Sequence, residues 1–335
     1  MDTLIVGGGL AGLATAAALR NIANIDAVCV LESSNDSLEN ESAGAAIQLG
    51  PNGFRALKAI GGESLLEQIY EAGSHLDENI LLLPGGASPT ATPNTAKAET
   101  GYPIVLIRWG ILRKLLGGLL PKEKLFFGTG KIVGYTLNDK GTTVKPVYEE
   151  GETKGIEALC ASKLIIGADG LNSVFRDRVL TQTMVPEIDS EAISPLKDKG
   201  RVNLKAVIPA ELKDLGETFS KERATFAQFD QHLAAFAGPS GKGYVYWAIS
   251  IPDDEESGSR FLSDNFDDRL AAKNSLIDKL ELSSSDGVDR KWIMSLVERT
   301  DPGAILINRS TEVSIEEGNS FVSNDGFVVL VGDAA

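Results

Sequence analysis

The chain has 335 residues, 43% of them hydrophobic and 24% charged, an ordinary globular composition with room for two domains. A net charge of −15 argues against nucleic acid or an anionic membrane as partner, because both are polyanions. Two distant cysteines, Cys29 and Cys160, argue against a disulfide framework; no Cys/His cluster marks a metal site, and no apolar run spans a bilayer.

The first twelve residues read MDTLIVGGGLAG. Leu4, Ile5 and Val6 predict a buried parallel strand that empties into Gly7, Gly9 and Gly12, the G-x-G-x-x-G spacing of a dinucleotide fold. Gly7 suits the tight turn off the strand, Gly9 lets backbone approach a pyrophosphate, and Gly12 lets the next helix pack closely. Leu10 and Ala11 open that helix, predicted over Leu10 to Asn21, whose positive end faces the phosphates. A second apolar run, Ala27 to Leu31, ends in Glu32, about 20 residues past Gly12, where an acid bonds a ribose hydroxyl. Read alone, Glu32 is a solvated acid at a strand end; the order strand, turn, helix, strand, acid favours the nucleotide. The spacing fits NAD, NADP and FAD alike. With the first strand starting beside Met1 there is no room for a signal or transit peptide, which predicts a cytoplasmic protein unless a leader precedes this sequence.

Farther along, Ser33 to Ser42 reads as an exposed loop, and Gly44 to Gly61 as a short strand, a turn at Pro51-Asn52-Gly53 and a helix stopped at Gly61-Gly62. A further helix is expected over Glu63 to Ala72, a strand over Asn79 to Leu83, and a mobile excursion over Pro84 to Pro103. Ile104 to Ile107 is a strand and Arg108 to Leu120 a helix. Lys124 to Ala161 alternates apolar and polar residues between turn signals, as antiparallel hairpins do. Leu164 to Ile166 is a buried strand running into Gly167-Ala168-Asp169-Gly170, with a helix over Leu171 to Leu180. Thr181 to Gly200 is a polar crossing, Val202 to Pro252 is strand-rich, Asp253 to Ser259 is a charged loop, Phe261 to Leu282 and Arg290 to Arg299 are helices, and Phe327 to Val331 is a last strand. Long antiparallel segments interrupting a parallel nucleotide fold predict a discontinuous domain with a second, sheet-based domain inserted.

Three strand-to-glycine junctions stand out: LIVGGGLAG, LIIGADG and VVLVGDAA. Together they resemble the FAD-dependent monooxygenases of the para-hydroxybenzoate hydroxylase type. Gly7, Gly9, Gly12 and Glu32 match the family's first motif; Gly167, Asp169, Gly170, Ser173 and Arg176 match its ADG-x-x-S-x-x-R; Gly332 and Asp333 match its G-D. Gln48 to Gly53 and the Ile107-Arg108 pair also look like family segments. The resemblance implies an α/β fold: a Rossmann-like FAD-binding domain with a three-layer parallel sheet, over 1–73, 103–180 and 311–335, and an inserted antiparallel sheet with helices, over 74–102 and 181–310, that takes the substrate. Cofactor contacts are then implied at Gly7, Gly9, Leu10, Ala11, Gly12, Glu32, Gln48, Arg108, Asp169, Gly332 and Asp333. By the same resemblance Glu32 holds the adenosine ribose, Asp333 the ribityl or pyrophosphate part, Asp169 bridges FAD and the NAD(P)H path, and Arg108 contacts the phosphate-ribityl region. Arg176 reads equally as a structural cation or a cofactor contact.

The implied reaction begins with NADH or NADPH reducing FAD; reduced flavin adds O2, and the C4a-hydroperoxide delivers oxygen to an aromatic or unsaturated small molecule. No protein acid or base is nominated. His75 and His232, the two histidines, read as structural or surface groups. Phe226, Phe229, Phe236, Tyr244, Tyr246 and Trp247 are candidate substrate walls or plain core, with Tyr244 and Tyr246 on one strand face. The family continues past G-D-A-A, so the resemblance predicts that Ala335 ends a fragment. Other flavoenzymes of this fold stay open as alternatives: a reductase, a halogenase, or an inactive nucleotide-binding fragment. The halogenase signature W-x-W-x-I-P is met only in part by Trp247-Ala248-Ile249-Ser250-Ile251-Pro252.

Overall fold

A computed structural model describes residues 2–84, 89–149, 161–181, 196–210, 222–230, 232–253, 266–282, 290–313 and 320–335. Cys160 and most of the predicted polar crossing and charged loop lie outside the described residues. In chain order the strands are β1 (Thr3–Val6), β2 (Val28–Glu32), β3 (Ala46–Leu49), β4 (Ser74–His75), β5 (Glu78–Leu82), β6 (Thr90–Pro93), β7 (Val105–Arg108), β8 (Leu125–Phe127), β9 (Ile132–Leu137) and β10 (Val144–Tyr148). They continue with β11 (Leu164–Gly167), β12 (Leu196–Pro209), β13 (Arg223–Gln228), β14 (Ala234–Pro239), β15 (Tyr244–Pro252), β16 (Leu306–Val313) and β17 (Val328–Leu330). The helices are α1 (Leu10–Asn21), α2 (Pro51–Ala72), α3 (Ala96–Thr100), α4 (Trp109–Gly117), α5 (Val174–Thr181), α6 (Phe266–Leu282) and α7 (Lys291–Arg299).

Five strands form a parallel sheet in the order β17-β11-β1-β2-β8. Its central strands are apolar on both faces, so the period of two divides them between two cores. Ile5, Val28 and Val30 pack on α1, α2 and α4. Leu4, Val6, Cys29 and Leu31 pack on β9, β10 and α5 through Ile132, Tyr135, Val144 and Phe175. The result is the expected three-layer arrangement. Alanine, the best helix former, dominates α1, and Arg20 sits in its last turn where a cation favours the dipole. The predicted stop at Gly62 is a kink inside α2, with φ +69°, rather than a helix end.

A seven-stranded sheet, β16-β12-β15-β14-β13-β5-β6, makes the second layer system. All its pairs are antiparallel except β5 with β13. One face is covered by α6 and α7, whose Leu276, Leu280, Trp292 and Leu296 meet Val202, Leu204, Trp247 and Ile249. The other face meets the nucleotide layers through Leu76, Leu106 and Ala224, with Phe236 and Tyr246 against them. The small sheet β3-β7-β4 pairs antiparallel throughout, and its strands fall between β2 and β8 in sequence.

Several expectations shift. Leu125–Phe127 joins β2 in parallel instead of opening an antiparallel hairpin; among the described residues of that stretch, β9 and β10 pair antiparallel as predicted. The stretch expected to be an excursion holds β6 and α3, with β6 antiparallel to β5. Arg108 is extended at the end of β7, so α4 starts one residue later than expected.

Candidate functional site

β17, β11 and β1 are neighbours, so their carboxyl ends deliver three glycine turns to one sheet edge, where open α/β sheets hold ligands. The turns touch. Ala168 N–H donates to the Val6 carbonyl at 2.7 Å, and Val331 N–H to the Gly167 carbonyl at 2.9 Å. Gly7 has φ +113°, and a Cβ there would fall 2.1 Å from the Ala168 carbonyl oxygen. A Cβ on Gly12 would fall 1.9 Å from the Gly7 carbonyl oxygen, and one on Gly332 would lie 2.5 Å from Ala11 Cβ. Arg176, 1% exposed, locks two of the turns. It donates from Nη1 to the Asp333 carbonyl at 3.1 Å and from Nη2 to the Leu171 carbonyl.

Gly9 differs from these packing glycines. It caps α1 with φ −80° and ψ −172°, and no side chain caps the helix's free N–H groups. A Cβ there would meet only the Trp109 ring, at 3.9 Å, so this edge faces open space. Two adjoining clefts open from it. The smaller, about 370 Å³, is lined by Gly7, Gly9, Glu32, Thr129 and Asp169 among others. The larger, about 790 Å³, runs past Leu10, Ala11, Glu32, Arg113, Gly332 and Asp333 to the seven-stranded sheet at Lys205 and Leu306.

The acids occupy different surroundings. Glu32 Oε2 accepts from Gly8 N–H at 2.9 Å and Oε1 from Ser34 N–H at 2.9 Å. Asp169 is pushed up from the usual carboxylate range by burial, against hydrogen bonds from Ser173 and the backbone around it that pull it down. Its Oδ2 accepts from Val174 N–H at 2.9 Å and so caps α5, while its buried Oδ1 has no partner among the described residues. That cap also explains why the predicted helix begins at Val174 instead of Leu171. Asp333 is exposed at the larger cleft. Lys205, half-buried, is held below the usual lysine range by burial, with Asp333 opposing.

Of the predicted contacts, Gly7, Gly9, Leu10, Ala11, Glu32, Asp169, Gly332 and Asp333 line the two clefts, and Gly12 packs beneath them. Gln48 and Arg108 are not among the lining residues of either cleft. Gln48 is exposed on β3, where alternation sends Ile47, not Gln48, to the cleft. Arg108 is buried, with its guanidinium 4.2 Å from the centre of the Tyr244 ring and 3.5 Å from Glu41 Oε2. The arginine in the groove is Arg113, one not nominated from sequence. Its Nε donates to the Gly8 carbonyl at 2.8 Å, and its guanidinium faces Trp109 and Phe127. The available signal was a cation among Ile111, Leu112 and Leu116 on an otherwise apolar helix face.

The candidate walls divide by the same period of two. Phe226, Phe236 and Tyr246 form a chain of rings, 4.7 Å and 5.7 Å between centres, on the face toward the nucleotide layers. Trp247 and Phe229 are fully buried in the helix-covered core, and the Trp247 indole donates to Thr300 Oγ1 at 2.9 Å. They are core, not wall. His75 packs on Tyr70 at 5.3 Å and His232 is exposed; neither lines a cleft.

A parallel sheet with touching glycine turns, an uncapped helix start and an open groove across both defines a dinucleotide-binding protein. The groove fits such a group: a backbone cradle a Cβ would invade at Gly9, unspent helix N–H donors, and an orphaned carboxylate oxygen on Asp169. Comparison with known proteins narrows the class. The family model described as FAD binding domain matches residues 1–196, and the chain belongs to that family. A FAD-dependent urate hydroxylase of Mycolicibacterium vanbaalenii is 30% identical over 186 residues, 54% of this chain and 42% of its own length. A 3-hydroxybenzoate 6-hydroxylase of Polaromonas naphthalenivorans is 32% identical over 53% of this chain and 42% of its own length. The chain thus spans less than half of these relatives. Among solved structures, Klebsiella pneumoniae HpxO complexed with FAD and uric acid shares the fold, with TM-score 0.73 and 19% identity over 100% of this chain and 73% of that one. So does 2,6-dihydroxypyridine-3-hydroxylase from Arthrobacter nicotinovorans, with TM-score 0.71 and 18% identity over 100% of this chain and 77% of that one.

Proposed function

We propose that the protein is a FAD-dependent monooxygenase that takes electrons from NADH or NADPH and places one oxygen atom of O2 on an aromatic or unsaturated small molecule. The observation that carries the reading is the meeting of three glycine turns, near Gly9, Asp169 and Asp333, at two adjoining clefts that share Gly9, Glu32 and Gly170. When bound, FAD supplies the redox and oxygen chemistry. The chain supplies position. The free N–H groups of α1 face the diphosphate, Glu32 accepts from the adenosine ribose with lone pairs left over from its two backbone donors, and Asp333 takes the ribityl or pyrophosphate end. Asp169 stands between the FAD groove and the NAD(P)H path. Arg108 acts one step removed, holding Tyr244 in place. Substrate lies between the groove and the ring chain of Phe226, Phe236 and Tyr246, where apolar walls keep water from the reacting centre.

In this reading the FAD-binding domain is discontinuous, over 1–73, 103–180 and 311–335, and the substrate domain fills 74–102 and 181–310. No helix among the described residues is long and apolar enough to cross a membrane. A cytoplasmic location, where NADH and NADPH are supplied, belongs to the same proposal.

The test is a full-length protein purified with FAD. The expected result is a yellow protein whose NAD(P)H oxidation quickens with a suitable phenol and whose product carries one oxygen atom from labelled O2. A protein that stays colourless with added FAD overturns the reading in favour of a non-catalytic remnant. FAD retention with NAD(P)H oxidation but no labelled product favours a reductase.

A further inference from the structure

The residues that line both clefts are Gly9, Glu32, Trp109, Ala168 and Gly170. Trp109 brings the one large ring among them, and it lies outside the three glycine motifs. Its backbone is pinned, because its N–H donates to the Ala45 carbonyl at 2.8 Å. Three contacts fix how the indole lies. A Cβ built on Gly44, which has φ +71°, would fall 2.9 Å from Trp109 Cε3 and 3.0 Å from Cδ2, so that edge of the ring is seated on glycine. Arg113, one turn along α4, holds its guanidinium 5.5 Å from the ring centre. The ring atom nearest a Cβ built on Gly9 is Cζ2, at 3.9 Å.

Cζ2 is bonded to the carbon that carries Nε1. The edge turned toward Gly9 and the start of α1 is therefore the edge with the indole N–H, a group that can only donate. This N–H has no hydrogen-bond partner among the described residues, and it is not sealed in the interior. Trp247, by contrast, spends its N–H on Thr300 within the helix-covered core. Across the junction α1 presents N–H groups that no side chain caps. Donors thus face one space from two sides, and the edge of an aromatic ring is its positive side. The acid at the junction, Glu32, is already turned onto the N–H groups of Gly8 and Ser34. A space ringed by unspent donors suits an anion.

We propose that Trp109 is a cofactor contact: its indole N–H donates to a diphosphate oxygen of FAD from the side opposite α1, so that a helix start and a ring edge hold the diphosphate between them. This rests on the placement of FAD along the two clefts and is independent of the oxygen chemistry. Trp109 binds and orients the cofactor and takes no part in bond making.

The test uses full-length protein freed of FAD and three ligands, FAD, ADP and adenosine, titrated by calorimetry. Trp109→Phe keeps a ring on Gly44 and loses the N–H. It should bind FAD and ADP about tenfold or more weakly than wild type, the scale of a hydrogen bond to a charged group, while adenosine stays within about twofold. ADP does not absorb where indole emits, so a second readout is available: ADP should change the tryptophan emission of the wild type and leave that of Trp109→Phe unchanged. The proposal fails if Trp109→Phe binds ADP as tightly as wild type. It also fails if adenosine weakens by the same factor as ADP, which would make the ring a packing surface for the nucleoside, or if ADP leaves the wild-type emission unchanged. A wild type that takes up FAD alongside any of these results sinks this inference alone; a wild type that takes up neither FAD nor ADP sinks the placement of FAD in the clefts and this inference with it.

Discussion

Gly9 and Gly12 belong to one motif and make opposite predictions. Gly9 has an extended backbone that any residue adopts, and a Cβ there would touch only the Trp109 ring, at 3.9 Å. Gly9→Ala should therefore leave the fold intact and, by restricting the unfolded chain, raise stability by about 0.4–1 kcal/mol. The added methyl projects into the groove, where it holds a diphosphate away from the N–H groups of α1. Overpacking of this kind costs about 1–3 kcal/mol, so FAD affinity should fall about 5- to 150-fold. In Gly12→Ala the methyl would lie 1.9 Å from the Gly7 carbonyl oxygen, backbone that cannot swing aside, so the fold itself should lose about 1–3 kcal/mol. Thermal unfolding without FAD, followed by flavin fluorescence titration, separates the two effects. Gly9→Ala with wild-type FAD affinity and a raised melting temperature would refute the placement of the diphosphate beside Gly9. Gly12→Ala as stable as wild type would refute the packing role.

Arg176→Met removes charged donors from the Asp333 and Leu171 carbonyls and should cost about 3 kcal/mol in chemical denaturation; an unchanged midpoint would show that the two turns hold without it. Trp247→Phe loses the bond to Thr300 and should cost about 1–2 kcal/mol while leaving ligand affinity unchanged, because the indole lies on the far face of the sheet; a shifted ligand Kd would contradict that orientation. Asp169 is raised by burial, so the folded protein binds its proton more tightly than the unfolded chain, and stability falls as pH rises from about 3.8 through the folded pKa. Asp169→Asn should accordingly gain on wild type in urea melts at about pH 7 and lose that gain as pH drops toward the unfolded carboxylate value of about 4; parallel pH profiles would count against it.

What was legible in the sequence was local. Apolar runs ending in glycine located β1, β11 and β17, and Ala-rich composition bounded α1 at Leu10–Asn21 as found. Partners distant in the chain were not legible. Leu125–Phe127 is three residues long, and nothing in it announces a parallel slot beside β2. Period two placed Tyr244 and Tyr246 on one face; carried one residue further, it also separates Trp247 from them. The arginines show the limit of motif matching: Arg108 and Arg113 lie five positions apart, and only the fold decides that Arg113 enters the groove while Arg108 lies under Tyr244. Lys205 looks like any outward lysine on an alternating strand; only the fold places it at the end of the larger cleft.

The parallel sheet also sets a timetable for synthesis. Its central strand leaves the ribosome first, yet β17, which covers the flank of β11, is made only after the whole seven-stranded sheet. At about 5–20 residues per second, β11 keeps an open apolar flank for many seconds, a standing invitation to wrong pairing. Nascent chains paused before Val328 should therefore lean on chaperones and be easily clipped by protease, and both should lessen once β17 has emerged and paired with β11.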